Sequence, residues 1–462
     1  MSENTNITEK GYELKAITLF SNSGKIFDIY PQMVEVNLFE DIYNSVMSGN
    51  IVISDSIDIF ASTPLLGFEF LKIIMNKKGY ERDVILDKTF RIYKMQMGDF
   101  SKTTTSSQTY ILHFCSEEHM VSLSRLLSKS YRGQTTSNII RDILFNQLDV
   151  PRERVLPQNI EESYGRNNVI IPYLQPLTAI SWLTGRTLDE NSLPSFLFFE
   201  NRNGYNFQSL NKIFKNDAVA KYRYDAKNID KEETAGEEYR DVITYEFMNV
   251  FDTMKATTSG MFSGVLKTVD LVRLRADDHT FDYSQNFDSS IHIENNLLKD
   301  VTKRKTPHSF QNNNEDRLKN LTTKNYFAFR RMYPTNSGQI SSSYVSRKQP
   351  EIISNLVESW MMQRVSKIQQ LNYFKLKMVV PGDTIITVGD IIEFTIPLVA
   401  AKVKGEKNEN PYHTGRYLIT SIRHIMDYQR YEMIIEATRD CVSEKYPESE
   451  NTSPILKEIK KQ

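Results

Sequence analysis

The feature that most limits the fold is a register. Through residues 12–115, apolar residues fall at every second position in short runs, and turn residues cut the runs apart. "YELKAITLF" alternates, "SNSGK" supplies a turn, and "IFDIYPQMVEVNLFEDIY" then reads as one extended run. "SGNIVISDSIDIF", "DVILDKTFRIYKMQMGDF" and "TYILHFCS" continue the pattern. Successive side chains of a strand point to opposite faces, so such a run buries one face and wets the other. Several short strands with turn signals between them predict a barrel or sandwich.

Residues 116–213 change period. "TTSNIIRDILFNQLDVP" puts Ile140, Ile143, Leu144 and Leu148 on one helical face, with Thr136 or Ser137 as N-cap and Pro151 after the stop. "QPLTAISWLTGR" is a second helix, with Pro176 in its first turn and Gly185 as its C-terminal cap. "SFLFFENRNGYNFQSL" reads as a hairpin turning at Asn203-Gly204. An α/β insert is predicted here.

Residues 214–275 return to strands. Residues 282–325 are polar and Asn-rich and predict a loop or small accessory unit. "PEIISNLVESWMMQRVSKIQQL" is the clearest helix, opened by Pro350, with an apolar stripe of Ile353, Leu356, Val357, Trp360, Met361, Val365 and Ile368. Trp360, Met361 and Met362 give it enough apolar breadth for an interface as well as a core. In "FKLKMVV" Phe374, Leu376, Met378 and Val380 share one face, and Lys375 and Lys377 the other. Two more alternating strands flank Met426-Asp427, and residues 442–462 are a charged tail predicted to fray.

The organisation is therefore mainly β within an α+β class: residues 1–115 as a first barrel, 116–213 as the insert, and 214–275 with 370–441 as a second, discontinuous barrel. Residues 276–369 form an accessory segment ending in the long helix. At 462 residues the chain is long enough for several domains. Its 57 basic and 58 acidic residues nearly cancel, so no bulk attraction to nucleic acid is expected. Cys115 and Cys441 are the only cysteines, too few for a disulfide framework or a cysteine zinc site, and are expected as buried free thiols suited to a reducing cytoplasm. The N-terminus reads as no signal peptide, and the apolar runs fall short of a membrane span.

Candidate chemistry is sparse. Pro381-Gly382-Asp383 and Gly389-Asp390 have the look of a phosphate loop, but strands rather than a helix follow both, so barrel corners are the expectation. In that reading Pro381 presets φ, Gly382 takes the second central turn position, and the aspartates bond turn amides. Asp277-Asp278-His279 offers His279 only one carboxylate and is expected in a solvated loop; the same holds for Lys303-Arg304-Lys305. His113, His119, His292, His308, His413 and His424 lack metal-ligand spacing, and His424 is expected as a partly buried strand residue. No nucleophile elbow, zinc helix or local carboxylate pair marks an enzyme. No catalytic residue, cofactor or metal is expected.

"PGDTIITVGDIIEF", "GRYLITSIRHIM" and "YEMIIEATRD" resemble the last barrel of the central baseplate hub proteins of contractile-tailed, T4-like phages, a fold shared with the hub portion of type VI secretion spikes. The matching positions are Pro381, Gly382, Asp383, Gly389, Asp390, Gly415, Tyr417, Leu418, Ile419, Thr420 and His424. "LFEDIYNSVMSGNIVISDSIDIF" is similar to the family's first barrel, "IIPYLQPLTAISWLTGRT" to its insert helix, and "TYEFMNVFDTMKATTSGMFSGVLKTVD" to its central strands.

The resemblance implies a structural virion protein rather than an enzyme. It implies a homotrimeric ring in the tail baseplate, assembled in the host cytoplasm, in which each chain supplies two barrels. Such a ring joins a sixfold tail tube to a threefold spike and leaves a channel for DNA and ejected proteins, which it does not bind specifically. The implied partners are a separate spike protein, the tail tube protein and baseplate wedge proteins, with no membrane insertion. A hub of a bacterial contractile injection system is the alternative, and a tail-associated cell-wall hydrolase a more distant one.

Overall fold

The computed structural model describes residues 12–57, 59–62, 65–77, 84–97, 108–224, 239–270, 274–286, 291–294, 325–329, 357–372, 374–397, 409–410 and 412–441. Lys303-Arg304-Lys305, His308, Pro350, Ile353, Leu356 and the tail 442–462 lie outside them.

In chain order the first strands are β1 (Tyr12–Phe20), β2 (Ile26–Asp28), β3 (Met33–Asp41) and β4 (Ser48–Asp55), then α1 (Ile59–Ser62), β5 (Phe70–Lys77), β6 (Val84–Met97) and β7 (Gln108–Ser116). The run expected to be continuous from Ile26 is broken at Tyr30–Gln32, where Pro31 sits in a single 3-10 turn between β2 and β3. Proline presets the turn and has no amide hydrogen for a ladder.

The insert comprises α2 (Glu117–Ser124), β8 (Ser130–Gln134), α3 (Thr136–Asn146), β9 (Asn167–Ile170), α4 (Pro176–Thr184), β10 (Phe196–Asn201), β11 (Gly204–Ser209) and α5 (Leu210–Lys215). The cap of α3 is Thr135, one residue before the predicted pair, whose hydroxyl accepts the Asn138 amide at 3.3 Å. Ile139, Ile140, Ile143 and Leu144 face the insert's own core, and Leu148 joins them from beyond the helix end. Pro176 opens α4, while Gly185 caps it in a right-handed conformation. The β10–β11 hairpin pairs Asn201 with Gly204, so its two loop residues are Arg202 and Asn203. The one-residue shift from the predicted turn matters, because it aims Arg202 into the protein.

Then come β12 (Ala218–Arg223), β13 (Tyr239–Asp241), β14 (Thr244–Asn249), α6 (Thr253–Thr258), β15 (Ser263–Asp270), β16 (Arg275–Asp282), α7 (Tyr283–Asn286), β17 (Asn325–Phe329), α8 (Val357–Gln370), β18 (Phe374–Pro381), β19 (Ile391–Thr395), β20 (Gly415–Met426) and β21 (Tyr431–Arg439).

Fourteen strands make one sheet in two halves of seven. The first half runs β3-β4-β7-β6-β5-β1-β2, antiparallel throughout. The second runs β13-β12-β19-β20-β21-β18-β14, with β12 parallel to both its neighbours. Its two ends meet. Between β13 and β14, the Val242 amide donates to Arg223 O on β12 at 3.2 Å, and the Ile243 amide to Val379 O on β18 at 2.9 Å. Pairing thus passes round the second half and returns on itself, whereas the first half ends at β2.

The halves are continuous in hydrogen bonding rather than two separate barrels, because β20 is long enough for two partners on one edge. Gly415–Leu418 pair with β19, and Ser421–Met426 with β3. The inner faces of both halves share one core with Leu197, Phe199, Leu210, Ile213 and Phe214 of the insert. In β18 the apolar face reads as predicted, and outward Lys375 and Lys377 reach Glu436 and Glu246 across the sheet at 2.8 and 3.0 Å.

Two placements differ from expectation. β15 pairs with β16 and β17 in a separate three-stranded sheet, so these residues leave the main sheet. Asp277, Asp278 and His279 belong to β16 rather than a loop, and His279 Nε2 lies 3.1 Å from Thr268 Oγ1. The long helix α8 also turns a different face inward. Met362, Ser366, Lys367 and Gln370 are buried, while Trp360, Met361, Val365 and Ile368 are half-covered. The reason is its setting. Met362 enters the small core under β15, while Arg364 donates to carbonyls of the insert and Lys367 to Asp440 at the end of the second half.

Candidate functional site at the joints of the sheet

The first and second halves and the insert hairpin meet at Glu40. On β3, Val36, Leu38 and Glu40 point inward in sequence, and on β20 Ile422, His424 and Met426 do the same. Because Ile422 pairs with Glu40 and His424 with Leu38, the carboxylate and the imidazole are diagonal neighbours on one face. His424 Nε2 lies 3.4 Å from Glu40 Oε1, a polar contact without hydrogen-bond alignment. Arg202 Nε donates to the same oxygen at 3.0 Å. The Val388 amide donates to Glu40 Oε2 at 3.3 Å. Arg202 also donates to the carbonyls of Thr384 and Ile386, and His424 Nδ1 is 2.9 Å from Tyr431 Oη.

All three charged or titratable groups are sealed from solvent. Burial opposes the charge on Glu40, yet His424, Arg202 and the Val388 amide together hold its carboxyl below the ordinary value. Burial pushes the His424 imidazole down, helped by Arg202 and opposed by Glu40. His424 is therefore a neutral, fully buried ring, deeper than the sequence suggests.

The Pro381–Asp390 segment is the covering loop of this joint. Pro381 ends β18. Gly382 donates its amide to Tyr431 O at 2.8 Å and does not adopt a positive φ; a Cβ there would lie 1.9 Å from the Tyr431 ring. Close packing, not turn geometry, requires this glycine. Asp383 accepts the Ile385 amide at 2.9 Å and pairs with Arg240. Gly389 does need its freedom, with φ +91° and a Phe199 ring carbon 2.8 Å from any added Cβ. Asp390 accepts the Thr387 amide at 2.8 Å and its hydroxyl at 3.3 Å. Gly415 has φ +140° beside Glu294, and the buried Tyr417 donates its hydroxyl to His413 O at 2.6 Å.

A second joint ties the first half to the insert around Glu200 of β10. Its carboxylate pairs with Lys88 of β6 and with Arg154 at 2.7 Å, and it accepts the Ser116 hydroxyl at 2.5 Å and the Met47 amide at 2.8 Å. Burial opposes ionisation, but Lys88 and Arg154 hold Glu200 below the ordinary carboxylate value. Nearby Glu118, by contrast, is pushed up by burial. A third joint ties α8 to the end of β21. Asp440 meets His292 Nδ1 at 2.8 Å, Lys367 Nζ at 3.0 Å and the Ile293 amide at 3.1 Å. Burial notwithstanding, Lys367 and His292 hold Asp440 far below the usual range.

The sequence reading brought the Pro381–Asp390 loop and His424 into view but missed Glu40, Lys88, Arg202, Glu200 and Asp440. A signal existed for two of them. Glu40 follows Val36 and Leu38 in register, and Lys88 stands in register between Leu86 and Phe90, so each is a charge on an apolar face. Cys115 and Cys441 are buried free thiols, with Cys115 pushed up by burial to about 11. Among the described residues no group of three or more His, Cys, Asp or Glu side chains is placed to hold a metal ion. No described helix is long and apolar enough to cross a membrane.

No family model matches the chain. A Vibrio phage KVP40 protein named "Probable baseplate hub protein gp334" is 21% identical over 422 residues, covering 88% of this chain and 90% of its own. Among solved structures, a tail protein from Neisseria meningitidis MC58 aligns with 94% of this chain and 98% of its own, at 10% identity and a TM-score of 0.49. An Escherichia coli component of the type VI secretion system aligns with 96% of this chain and 79% of its own, at 10% identity and a TM-score of 0.41. Over most of its length, then, the chain is similar in sequence to a protein named as a probable phage baseplate hub protein.

Proposed function

We propose that the chain is a structural hub of a phage tail baseplate, acting as a homotrimeric ring between a sixfold tail tube and a threefold spike. One observation carries this reading: a single chain holds two seven-stranded halves fused through β20. Three such chains set six β halves about one axis, which suits a sixfold tube while keeping threefold symmetry below. Closed rings of identical chains are the common form of soluble oligomers. The name of the Vibrio phage relative supports the same assignment.

In this reading the protein is an adaptor and conduit. Its partners are a spike protein, the tube protein and wedge proteins of the baseplate, and its place is the virion tail after assembly in the host cytoplasm. The channel passes DNA and ejected proteins, and near-neutral charge limits phosphate binding that would slow passage. Glu40, Glu200 and Asp440 hold sheets together out of solvent and are not placed to meet a substrate. That arrangement suits a scaffold. Light scattering of the purified full chain, alone and with its spike partner, tests the proposal. A trimer is expected, and a stable monomer in the presence of the spike overturns it.

A further inference from the structure

The outer face of the first half carries an apolar row that runs to its last strand. Ile26 pairs with Phe20, Phe20 with Phe70, and Phe70 with Arg91, across β2, β1, β5 and β6. Directly opposed residues share a face, and the adjacent Leu19, Leu71 and Phe90 belong to the core. Ile26, Phe20, Phe70 and Arg91 therefore stand on the outside. The loop before β5 adds Leu66 and Phe68, and β6 adds Tyr93. Ile26, Leu66, Phe68 and Tyr93 are 65%, 64%, 59% and 48% exposed.

The loop is fixed from beneath. Glu69 is sealed from solvent, and its carboxylate accepts the Leu66 amide at 2.7 Å and the Gly67 amide at 2.8 Å. The Glu69 carbonyl accepts the Ile92 amide at 3.0 Å. Arg91 lies over the Phe70 ring at 3.6 Å, donates to the Phe68 carbonyl at 2.6 Å and pairs with Glu117 at 3.2 Å. Two large apolar side chains are thus presented to solvent on a backbone held by a buried carboxylate. A surface organised in advance loses little freedom on docking. Aromatic residues with an arginine among them are the composition of an interface core.

Area and topology narrow the occupant. With aromatic side chains offering about 150–250 Å² each, the exposed parts of Ile26, Phe20, Phe70, Leu66, Phe68 and Tyr93 sum to roughly 400–500 Å². A standard interface takes about 800 Å² per partner, so the patch supplies about half of one. The second half of the same chain leaves these side chains exposed. Among the described residues β2 is also the last strand of the first half, whereas the second half closes on itself through Val242 and Ile243. A ring of identical chains needs a head-to-tail contact between two different surfaces of successive copies. We propose that, in the trimeric ring on which this inference rests, the patch is covered by the second half of the next copy.

Sedimentation of the full chain, alone and with its spike partner, compares wild type with the double variant Leu66→Ser, Phe68→Ser. Both side chains are exposed, so the variant should keep the wild-type circular dichroism spectrum. Its trimer should need a concentration higher by roughly tenfold or more to form. A wild type that stays monomeric even with the spike overturns the ring and this contact with it. A trimeric wild type with an equally stable variant trimer overturns the contact alone. So does a stable variant trimer that has lost the spike, which assigns the patch to that protein. Phe68→p-benzoylphenylalanine keeps an aromatic ring and locates the occupant, and it decides alone if the double variant does not fold. Photocrosslinks to β12–β14 or β18–β21 of another copy are expected. Crosslinks only to the first half or the insert of another copy, or only to the spike, overturn the proposal.

Discussion

The joints at Glu200 and Glu40 perform the same task with different chemistry. Each places a buried carboxylate where the insert meets the main sheet. Glu200 is matched by two permanent cations, Lys88 and Arg154. Glu40 is matched by one, Arg202, and by a neutral imidazole. Both carboxylates are held below the ordinary carboxylate value, but of the two only the Glu40 joint contains a group that ordinarily titrates near neutrality. The difference teaches that one fold can hold a charge-saturated joint and an acid-sensitive one a few strands apart.

The comparison breaks hardest at Glu200. Glu200→Ala leaves Lys88 and part of Arg154 buried without a counter-charge, and should cost about 3–5 kcal/mol in denaturant unfolding. The double variant Lys88→Met with Glu200→Leu should recover much of that loss, because it removes both charges. At the other joint, Arg202→Met should cost about 3 kcal/mol by the same reasoning and speed amide exchange at Val388, whose partner is Glu40. Equal exchange in wild type and variant would contradict the assignment of Arg202 as the clasp on this loop.

Acid separates the joints more finely. The folded pKa of His424 lies below its ordinary value of 6.5. The folded state therefore binds the proton less well than the unfolded chain does. The stability from keeping this ring neutral is complete above pH of about 6.5 and is lost as pH falls below it. Glu40 and Glu200 have folded values below 4.5 and lose their contribution only at lower pH. His424→Gln should reduce the slope of the thermal midpoint between about pH 5 and 6.5.

Smaller effects belong to the covering loop. Gly389→Ala should cost about 1–2 kcal/mol through its positive φ and the Phe199 ring. Asp383→Ala and Asp390→Ala should each lower stability by about 1 kcal/mol through lost bonds to turn amides, without loss of a reaction. Thermal midpoints check all three.

The strands were legible because alternation is local: a run such as "FKLKMVV" states its own buried face. The insert helices were legible for the same reason, down to Pro176 at the start of α4. What was illegible depended on partners distant in sequence. Gly382 looks like a turn glycine until the Tyr431 ring is seen against it. The face of α8 cannot be read from its apolar stripe, because two of its deepest residues, Ser366 and Lys367, are polar and answer to Met261 and Asp440.

By itself the sequence determined the strand-rich class and the helices between Thr136 and Thr184, since each follows from nearest-neighbour periodicity and capping chemistry. Only the tertiary structure decided that β20 joins the blocks into one sheet, that β15 leaves it, and that Glu40, Arg202 and His424 meet. Hydrogen-bond register and buried charge pairing are properties of segments up to hundreds of residues apart, and no local pattern encodes which segment will supply the partner.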